Sequence, residues 1–588
     1  MRMPALLKGL ALAAIAILFV ACARPPADPA DAMTADSFAE HVRTLSSDAF
    51  EGRAPASVGE ARTVRYLIER FAALGLRPGN GRSWTQDMPL VGITGTASAL
   101  TIAGGGEALR FEPGVDAVLF TKRVQEKVAL DASELVFVGY GVSAPELGWD
   151  DYKGLDVRGK TLLMLVNDPD FGASPSPQGG AASPSPQGGA ASPSPQGGAV
   201  SAPPEGDRSA QVGAFGGKRM TYYGRWTYKY EEAARRGAAG VLLIHDDDAA
   251  GYGWGVVTGS WTGEQFDLET EDGNAGRAAV EGWLTRGAAL QVFNAAGQDL
   301  VQLEVAARAA DFKPVTLGLK ASTDITNAIR RQPSKNVVAL LPGSERPDEI
   351  VLFMAHWDHL GVDPAHPGDD DIFNGAIDNA TGTAALLELA AAFAAMDPPP
   401  PRSIAFVAVT AEESGLLGSK HYAEHPVFPL GQTVGAINID AMNVDGRTRD
   451  VVVIGRGASE LEALLERAAA VQGRVLSDED SPEKGYFYRS DHFNLAKGGV
   501  PVLYAEGGVD LLEGGTAAGR AASERYRAHD YHKPSDEYSA NWDLDGAFED
   551  LRLYFSVGRE LATGDTWPNW HAGNEFRAAR DASRPAKP

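Results

Sequence analysis

The sequence predicts an α/β protein: a mostly parallel, mixed sheet flanked by helices, interrupted by a second, smaller inserted domain. Three observations predict it. Apolar runs at residues 349–354, 403–409, 434–439, 451–454 and 500–504 alternate with helical patterns at 382–395, 459–471 and 544–561, the rhythm of a parallel sheet covered on both faces. Polar residues able to do chemistry stand at or just after the ends of those runs, where parallel sheets open their crevices. A length of 588 residues, 44% hydrophobic and 22% charged, leaves room for two to four domains with a large core.

The balance of 53 basic against 78 acidic residues gives a net charge of −25, which argues against nucleic acid and acidic lipid surfaces as partners. At the N-terminus, Arg2 and Lys8 precede an apolar run over 9–21 that ends at Cys22. The run is shorter than the ~20 residues of a membrane-spanning helix and has the layout of an export signal. Cys22 is the only cysteine, so no intramolecular disulfide can form. Its position resembles a bacterial lipoprotein cleavage site. That resemblance implies a signal over 1–22, a lipid anchor on Cys22 and a Pro/Ala-rich tether over 23–36; plain secretion is the alternative. Either way the protein is expected to be exported, to the periplasm, the outer membrane or the medium.

Residues 37–76 read as two helices, 39–45 and 60–74, the second with Val64, Leu67, Ile68, Phe71 and Leu74 at helical spacing and Gly75 as its stop. Short alternating runs over 84–124 suggest scaffold strands. From about 129 the pattern is strand (134–141), strand (159–167), helix (230–236) and strand (239–245), with Gly-Lys and Gly-Ala-Ala-Gly junctions. This resembles the protease-associated (PA) domain, an insert common in metallopeptidases that carries no catalytic residues. It is placed at 126–315, between an N-terminal portion of the main domain (37–125) and the catalytic portion (316–576), with a disordered tail over 577–588. Inside the insert, Ser-Pro-Ser-Pro-Gln-Gly-Gly-Ala-Ala recurs at 174, 183 and 192, with Val200 closing the last copy. Residues 174–200, rich in proline and glycine, cannot bury a core and read as a loop. The aromatic and basic stretch 220–230 is either a wall of a substrate cleft or a packed edge.

The chemistry centres on Ala355-His356-Trp357-Asp358-His359-Leu360-Gly361, at the end of the 350–354 strand. Residues i and i+2 of an extended chain share a side, so Asp358 can orient the His356 imidazole. Downstream come Gly375-Ala376-Ile377-Asp378-Asn379-Ala380-Thr381-Gly382, Thr410-Ala411-Glu412-Glu413-Ser414, Asn438-Ile439-Asp440-Ala441 and Asp530-Tyr531-His532-Lys533-Pro534. A hydrolytic zinc pair needs two imidazoles, carboxylates from separate loops, one able to bridge, and a base outside the metal shell. His356, Asp378, Glu412-Glu413, Asp440 and His532 supply that set in order. Adjacent glutamates suit it, because consecutive side chains diverge and one can bind metal while the other reaches water. Each motif alone is weak: Asp-Asn after glycine is often a turn and Glu-Glu a solvated face.

Together these pieces resemble the M28 family of zinc aminopeptidases, over residues 37–576 with the insert. The resemblance implies two Zn²⁺ per chain. His356 and Asp440 would bind one, Glu413 and His532 the other, and Asp378 would bridge them. It further implies that Asp358 orients His356, that Glu412 is general base and acid toward the water between the metals, and that Tyr531 hydrogen-bonds the oxyanion. The expected substrates are peptides cut at the N-terminus, with the acidic rim holding the free amine. A carboxypeptidase similar to the glutamate carboxypeptidases stays open; it would need cations for a terminal carboxylate, with Arg225, Lys229 and Arg489 as candidates. A receptor-like relative without catalysis is the third class, although such relatives lose ligands. His359 reads as a supporting or structural histidine, Ser490-Asp491-His492 as a loop of no assigned role, and His366 with Asp369–Asp371 as a solvated acidic turn. No His-Glu-x-x-His helix supports a one-zinc protease.

Overall fold

The computed structural model describes residues 28–171, 215–217, 219–261, 263–364 and 366–584. The predicted export signal, Cys22, the first residues of the predicted tether and the repeat over 174–200 lie outside them.

The larger unit is a mixed sheet. Strands Arg402–Val409, Arg346–His356, Thr433–Asn438 and Val502–Gly507 lie side by side and parallel, with Arg402–Val409 and Thr433–Asn438 flanking Arg346–His356. Antiparallel partners close both sides: the end of Val315–Leu341 beyond Arg402–Val409, and Asp450–Val453 beyond Val502–Gly507. Arg402–Val409 and Thr433–Asn438 are buried at every position, as their unbroken apolar sequences require of strands covered on both faces. Helices Gly382–Ala394, Asp545–Thr563, Leu461–Val471 and Val58–Ala73 pack their apolar sides into one continuous core around Phe353, Phe393, Phe406 and Phe555. Helix Gly382–Ala394 is buried nearly all round, which explains its Ala-rich composition: small side chains let it lie close to its neighbours.

Two terminal expectations are corrected. The tether's second half is part of the fold, since a short 3-10 turn over Pro29–Ala32 puts Ala30 and Met33 into the main core. The tail is ordered over Arg577–Ser583, where Arg580 is fully buried and donates to the carbonyls of Thr433 and Val434. One arginine that reaches back to a central strand was enough to fix a polar segment with little apolar signal.

The smaller unit has its own sheet. Lys127–Phe137, Thr161–Leu165, Gly240–Ile244 and Val280–Leu284 run parallel, and Ala117–Phe120 is antiparallel at the edge. Its core takes in strands on either side of 126–315, from Leu100 to Ile325. One strand belongs to both units. Val315–Leu341 is 27 residues long, pairs with Lys127–Phe137 near its start and with Arg402–Val409 at its end, and runs antiparallel to Thr85–Ala97 between. Among the described residues no helix is long and apolar enough to cross a membrane.

Candidate metal centre

His356 is the last residue of its strand. Glu412 and Glu413 follow Arg402–Val409 by three and four residues, and Asp440 follows Thr433–Asn438 by two. Three adjacent parallel strands therefore deliver ligand candidates to one rim. The backbone turns sharply there: Ala411, Ala441 and His532 all sit at positive φ, 53°, 66° and 56°. Each such residue costs roughly 1 kcal/mol, a strain that persists only where surrounding contacts fix the loop.

The stretch 378–383 ties those loops together. Asn379 Oδ1 accepts from the amides of Gly382 (2.8 Å) and Ala441 (3.0 Å), and Asn379 Nδ2 donates to the Ile439 carbonyl (3.0 Å). Thr381 Oγ1 accepts from the Met442 amide and Thr383 donates to the His356 carbonyl. Gly382 has no alternative, since a Cβ there would lie 2.6 Å from the Ile439 oxygen. On the other side Asp536 accepts from the amides of Ile377 and Asp378, which joins this loop to the one bearing His532.

The result is two sets of donors joined by one carboxylate. His356 Nε2 lies 3.3 Å from Asp378 Oδ1 and 3.2 Å from Asp440 Oδ1. His532 Nε2 lies 3.2 Å from Asp378 Oδ2 and 3.1 Å from Glu413 Oε2. Donors at about 2.0 Å from a tetrahedral zinc are about 3.3 Å apart, so both sets have the spacing of a metal's ligands. His532 Nε2 is buried and makes no hydrogen bond despite its two oxygen neighbours, as expected of a lone pair aimed at a cation. The residues fit a pair of zinc ions.

His359 also comes close, with Glu413 and Asp378 in reach. Its Nδ1, however, donates to the other Glu413 oxygen, Oε1, at 2.6 Å. It fixes the carboxylate that His532 faces. Asp358 differs from expectation. His356 Nδ1 donates to the main-chain carbonyl of Asp358 at 3.1 Å, while the carboxylate stands 3.7 Å away. The Asp358 carboxylate instead accepts from the Glu412 amide at 3.2 Å. The turn after the strand carries the side chain past the imidazole, so this residue sets the ring through its backbone and the glutamate loop through its side chain.

The electrostatics are those of a cation site. Burial pulls the His356 proton affinity down, but Glu412, Asp378 and Asp440 more than reverse it. Burial opposes ionisation of Glu413, yet the His532 and His359 rings hold it down at about 2. Burial pushes Asp358 up to about 8. Glu412 is raised by burial and by Glu413, Asp440 and Asp491, against the pull of His356. Tyr531, 46% exposed, stacks on the His532 ring at 3.9 Å; partial burial and the Asp378 and Glu413 charges keep its phenol protonated. So many carboxylates in one buried pocket are costly without positive charge among them.

Sequence reasoning missed Arg53. It is fully buried and donates to four carbonyls, those of Trp357 (2.9 Å), Leu45 (2.8 Å), Asn374 (2.6 Å) and Gly375 (2.8 Å). It thus clamps the loops carrying His356 and Asp378 from behind. Asp536 was within reach, since it closes the Tyr-His-Lys-Pro-Ser-Asp run; a second acidic residue near a ligand was the signal.

Residues 336–556 match the model for peptidase family M28. The chain is 36% identical over 114 residues to aminopeptidase YwaD of Bacillus subtilis (strain 168), a match covering 19% of this chain and 21% of that protein. It is 34% identical over 157 residues to a probable zinc metalloprotease of Pyrenophora teres f. teres (strain 0-1), covering 25% and 32%. These matches span about a fifth to a third of the relatives' lengths. A solved aminopeptidase from Aneurinibacillus sp. strain AM-1 aligns over 91% of this chain and 95% of its own, with 18% identity and a TM-score of 0.47.

Proposed function

We propose that the protein is a zinc-dependent aminopeptidase of the M28 type, releasing N-terminal residues from peptides at a pair of zinc ions. What supports this most is Asp378, whose two oxygens each face a separate histidine–carboxylate set, His356 with Asp440 and His532 with Glu413. The family match over 336–556 covers all of these residues. When bound, the metal pair supplies an acidified water and polarises the scissile carbonyl.

The chain's own groups do the rest. Glu412 accepts a proton from the attacking water and passes it to the departing amine; burial and neighbouring carboxylates raise its hold on that proton. The Tyr531 phenol, protonated and stacked beside His532, donates to the developing oxyanion. The acidic rim holds the free α-amine of the substrate, which limits cleavage to the chain end. The signal-like N-terminus supports export, with Cys22 as the point of lipid attachment.

The test is a substrate panel on wild type beside Glu412→Gln. Turnover of an aminoacyl-p-nitroanilide should fall about a thousandfold in the variant while zinc content stays at the wild-type level. Near-normal turnover removes Glu412 as the base. Cleavage of N-acylated dipeptides in place of the p-nitroanilide would mark a carboxypeptidase instead.

A further inference from the structure

One strand over from Asp440 stands a carboxylate to which the metal centre gives no task. Strands Thr433–Asn438 and Val502–Gly507 run parallel, with Asn438 opposite Tyr504. Asp440 and Glu506 each lie two residues beyond that pair, on neighbouring strands about 4.8 Å apart. Alternation puts Glu506 on the face of Asn438 and Tyr504, since Leu503 and Ala505 point into the helix-covered core on the other. Ile437 and Ile439 point into that same core from the neighbouring strand, which leaves Asp440 on the Glu506 side. The two segments stay close past the pair: a Cβ on Gly507 would lie 2.5 Å from the Cβ of Asn443, three residues after Asp440.

Glu506 is held in place but not paired. Tyr504 donates its hydroxyl to Glu506 Oε1 at 2.9 Å, and among the described residues the carboxylate forms no ion pair. The Tyr504 ring is held in turn, 4.7 Å from His492, which meets Phe487 at 4.6 Å. Burial and the charges of Glu506, Asp440 and Glu412 keep the phenol protonated, so it is the donor in that bond. Burial above all raises the Glu506 carboxyl to about 7; Asp440 and Glu479 add to the rise, and the Tyr504 hydrogen bond and Arg527 work against it. Glu479 brings a further acceptor: its Oε1 takes the Gly455 amide at 3.0 Å, and its Oε2 is buried without a hydrogen-bond partner. A carboxylate in such surroundings is costly until a cation joins it.

The place is open to a substrate. Asp440, Ala441, Glu506 and Gly507 are half-buried, whereas Ile439, Met442 and Ala505 beside them are closed off. The N-terminal residue of a peptide at the metal centre is anchored by its amine and its scissile carbonyl, so its side chain is the part left to cross to the next strand. The four-carbon stem of lysine spans that step and ends in an ammonium; arginine spans it and ends in a planar fork that matches a carboxylate. An apolar side chain in the same position leaves Glu506 unpaired.

We propose that Glu506 selects the substrate: its carboxylate binds the ammonium or guanidinium of an N-terminal lysine or arginine held at the metal centre. The reading rests on the aminopeptidase proposal above and adds a substrate class to it, peptides that begin with a basic residue. Glu506 determines specificity and takes no part in bond cleavage, so its replacement should change the choice of substrate while apolar N-termini are cut as before. Charge-assisted pairs of this kind change affinity by about tenfold or more.

The experiment measures kcat/KM of the zinc-loaded protein on lysine p-nitroanilide and norleucine p-nitroanilide, whose side chains share one stem and differ by the ammonium. Wild type should favour lysine by about tenfold or more. Glu506→Gln keeps the shape and an acceptor for Tyr504. There the ratio should fall to within about twofold of unity, because lysine turnover drops and norleucine turnover holds. Glu506→Asp, shorter by a methylene, should keep part of the preference. No lysine preference in wild type overturns the proposal, however any variant folds. So does a preference that persists in Glu506→Gln, or an equal loss on both substrates, which would give Glu506 the α-amine or a purely structural task. If neither substrate is cut, the aminopeptidase assignment fails instead. Calorimetric binding of lysinamide against norleucinamide, to wild type and to Glu506→Gln, then decides the cation subsite separately.

Discussion

Replacing Arg53 by methionine should loosen the metal centre from behind without touching a ligand. Methionine fills a similar volume but offers no donor. Three carbonyls, those of Leu45, Trp357 and Asn374, lose their partner in a buried place, and that of Gly375 keeps only the Ala380 amide. Each unsatisfied carbonyl costs about 1 kcal/mol or more, so the three together cost about 3 kcal/mol at the lower end. For a unit of this size that corresponds to a fall of roughly 10 °C in melting temperature. Two of the four carbonyls flank ligand loops: Trp357 follows His356, and Gly375 stands three residues before Asp378. Zinc content after dialysis against a weak chelator should therefore fall as well. Arg53→Lys keeps the charge but has one compact ammonium for four acceptors, and should lie between the two. Differential scanning fluorimetry with elemental analysis measures both effects. An Arg53→Met protein with wild-type melting temperature and full zinc content would falsify the idea that this side chain holds the two loops together.

Two further outcomes follow from the same structure. Asp378→Asn should lower zinc binding at both positions, because each carboxylate oxygen faces a different histidine, whereas Asp440→Asn should leave one ion bound per chain; elemental analysis separates the two. His492 is fully buried, and burial pulls it down to about 3 from the usual 6.5. The unfolded chain therefore takes up a proton first as the pH falls through 6.5. The folded state should lose about 2 kcal/mol between pH 6.5 and 5 from this residue alone. His492→Leu should flatten that part of a melting-temperature profile against pH; an unchanged slope in the variant would assign the acid sensitivity elsewhere.

Much of the centre was legible because its parts follow buried strands. A histidine after Ile350–Ala355, or paired glutamates after Ser403–Val409, is anomalous unless something compensates, and that anomaly can be read one segment at a time. The supports were harder to see for the opposite reason. Arg53 works through backbone carbonyls three hundred positions away, and a main-chain acceptor has no side-chain identity to recognise. Asp358 misled on direction: spacing along an ideal strand put its carboxylate beside His356, but the strand ends at that histidine and the next turn rotates the side chain toward Glu412. Helix Gly515–His529 escaped notice because only Ala522 of it is buried, so it carries almost no apolar stripe. The strand Val315–Leu341 does alternate buried and exposed positions through its first half, yet Pro333 and a run of polar residues mask its continuity.

That shared strand has a consequence for how the molecule can be taken apart. An insert joined by two flexible linkers can be excised or swung aside. Here one ribbon is stitched into both sheets, so deleting the smaller unit would tear an edge from the larger one. Motion between the halves must travel as a bend along that hydrogen-bonded splint and the strand Thr85–Ala97 paired beside it.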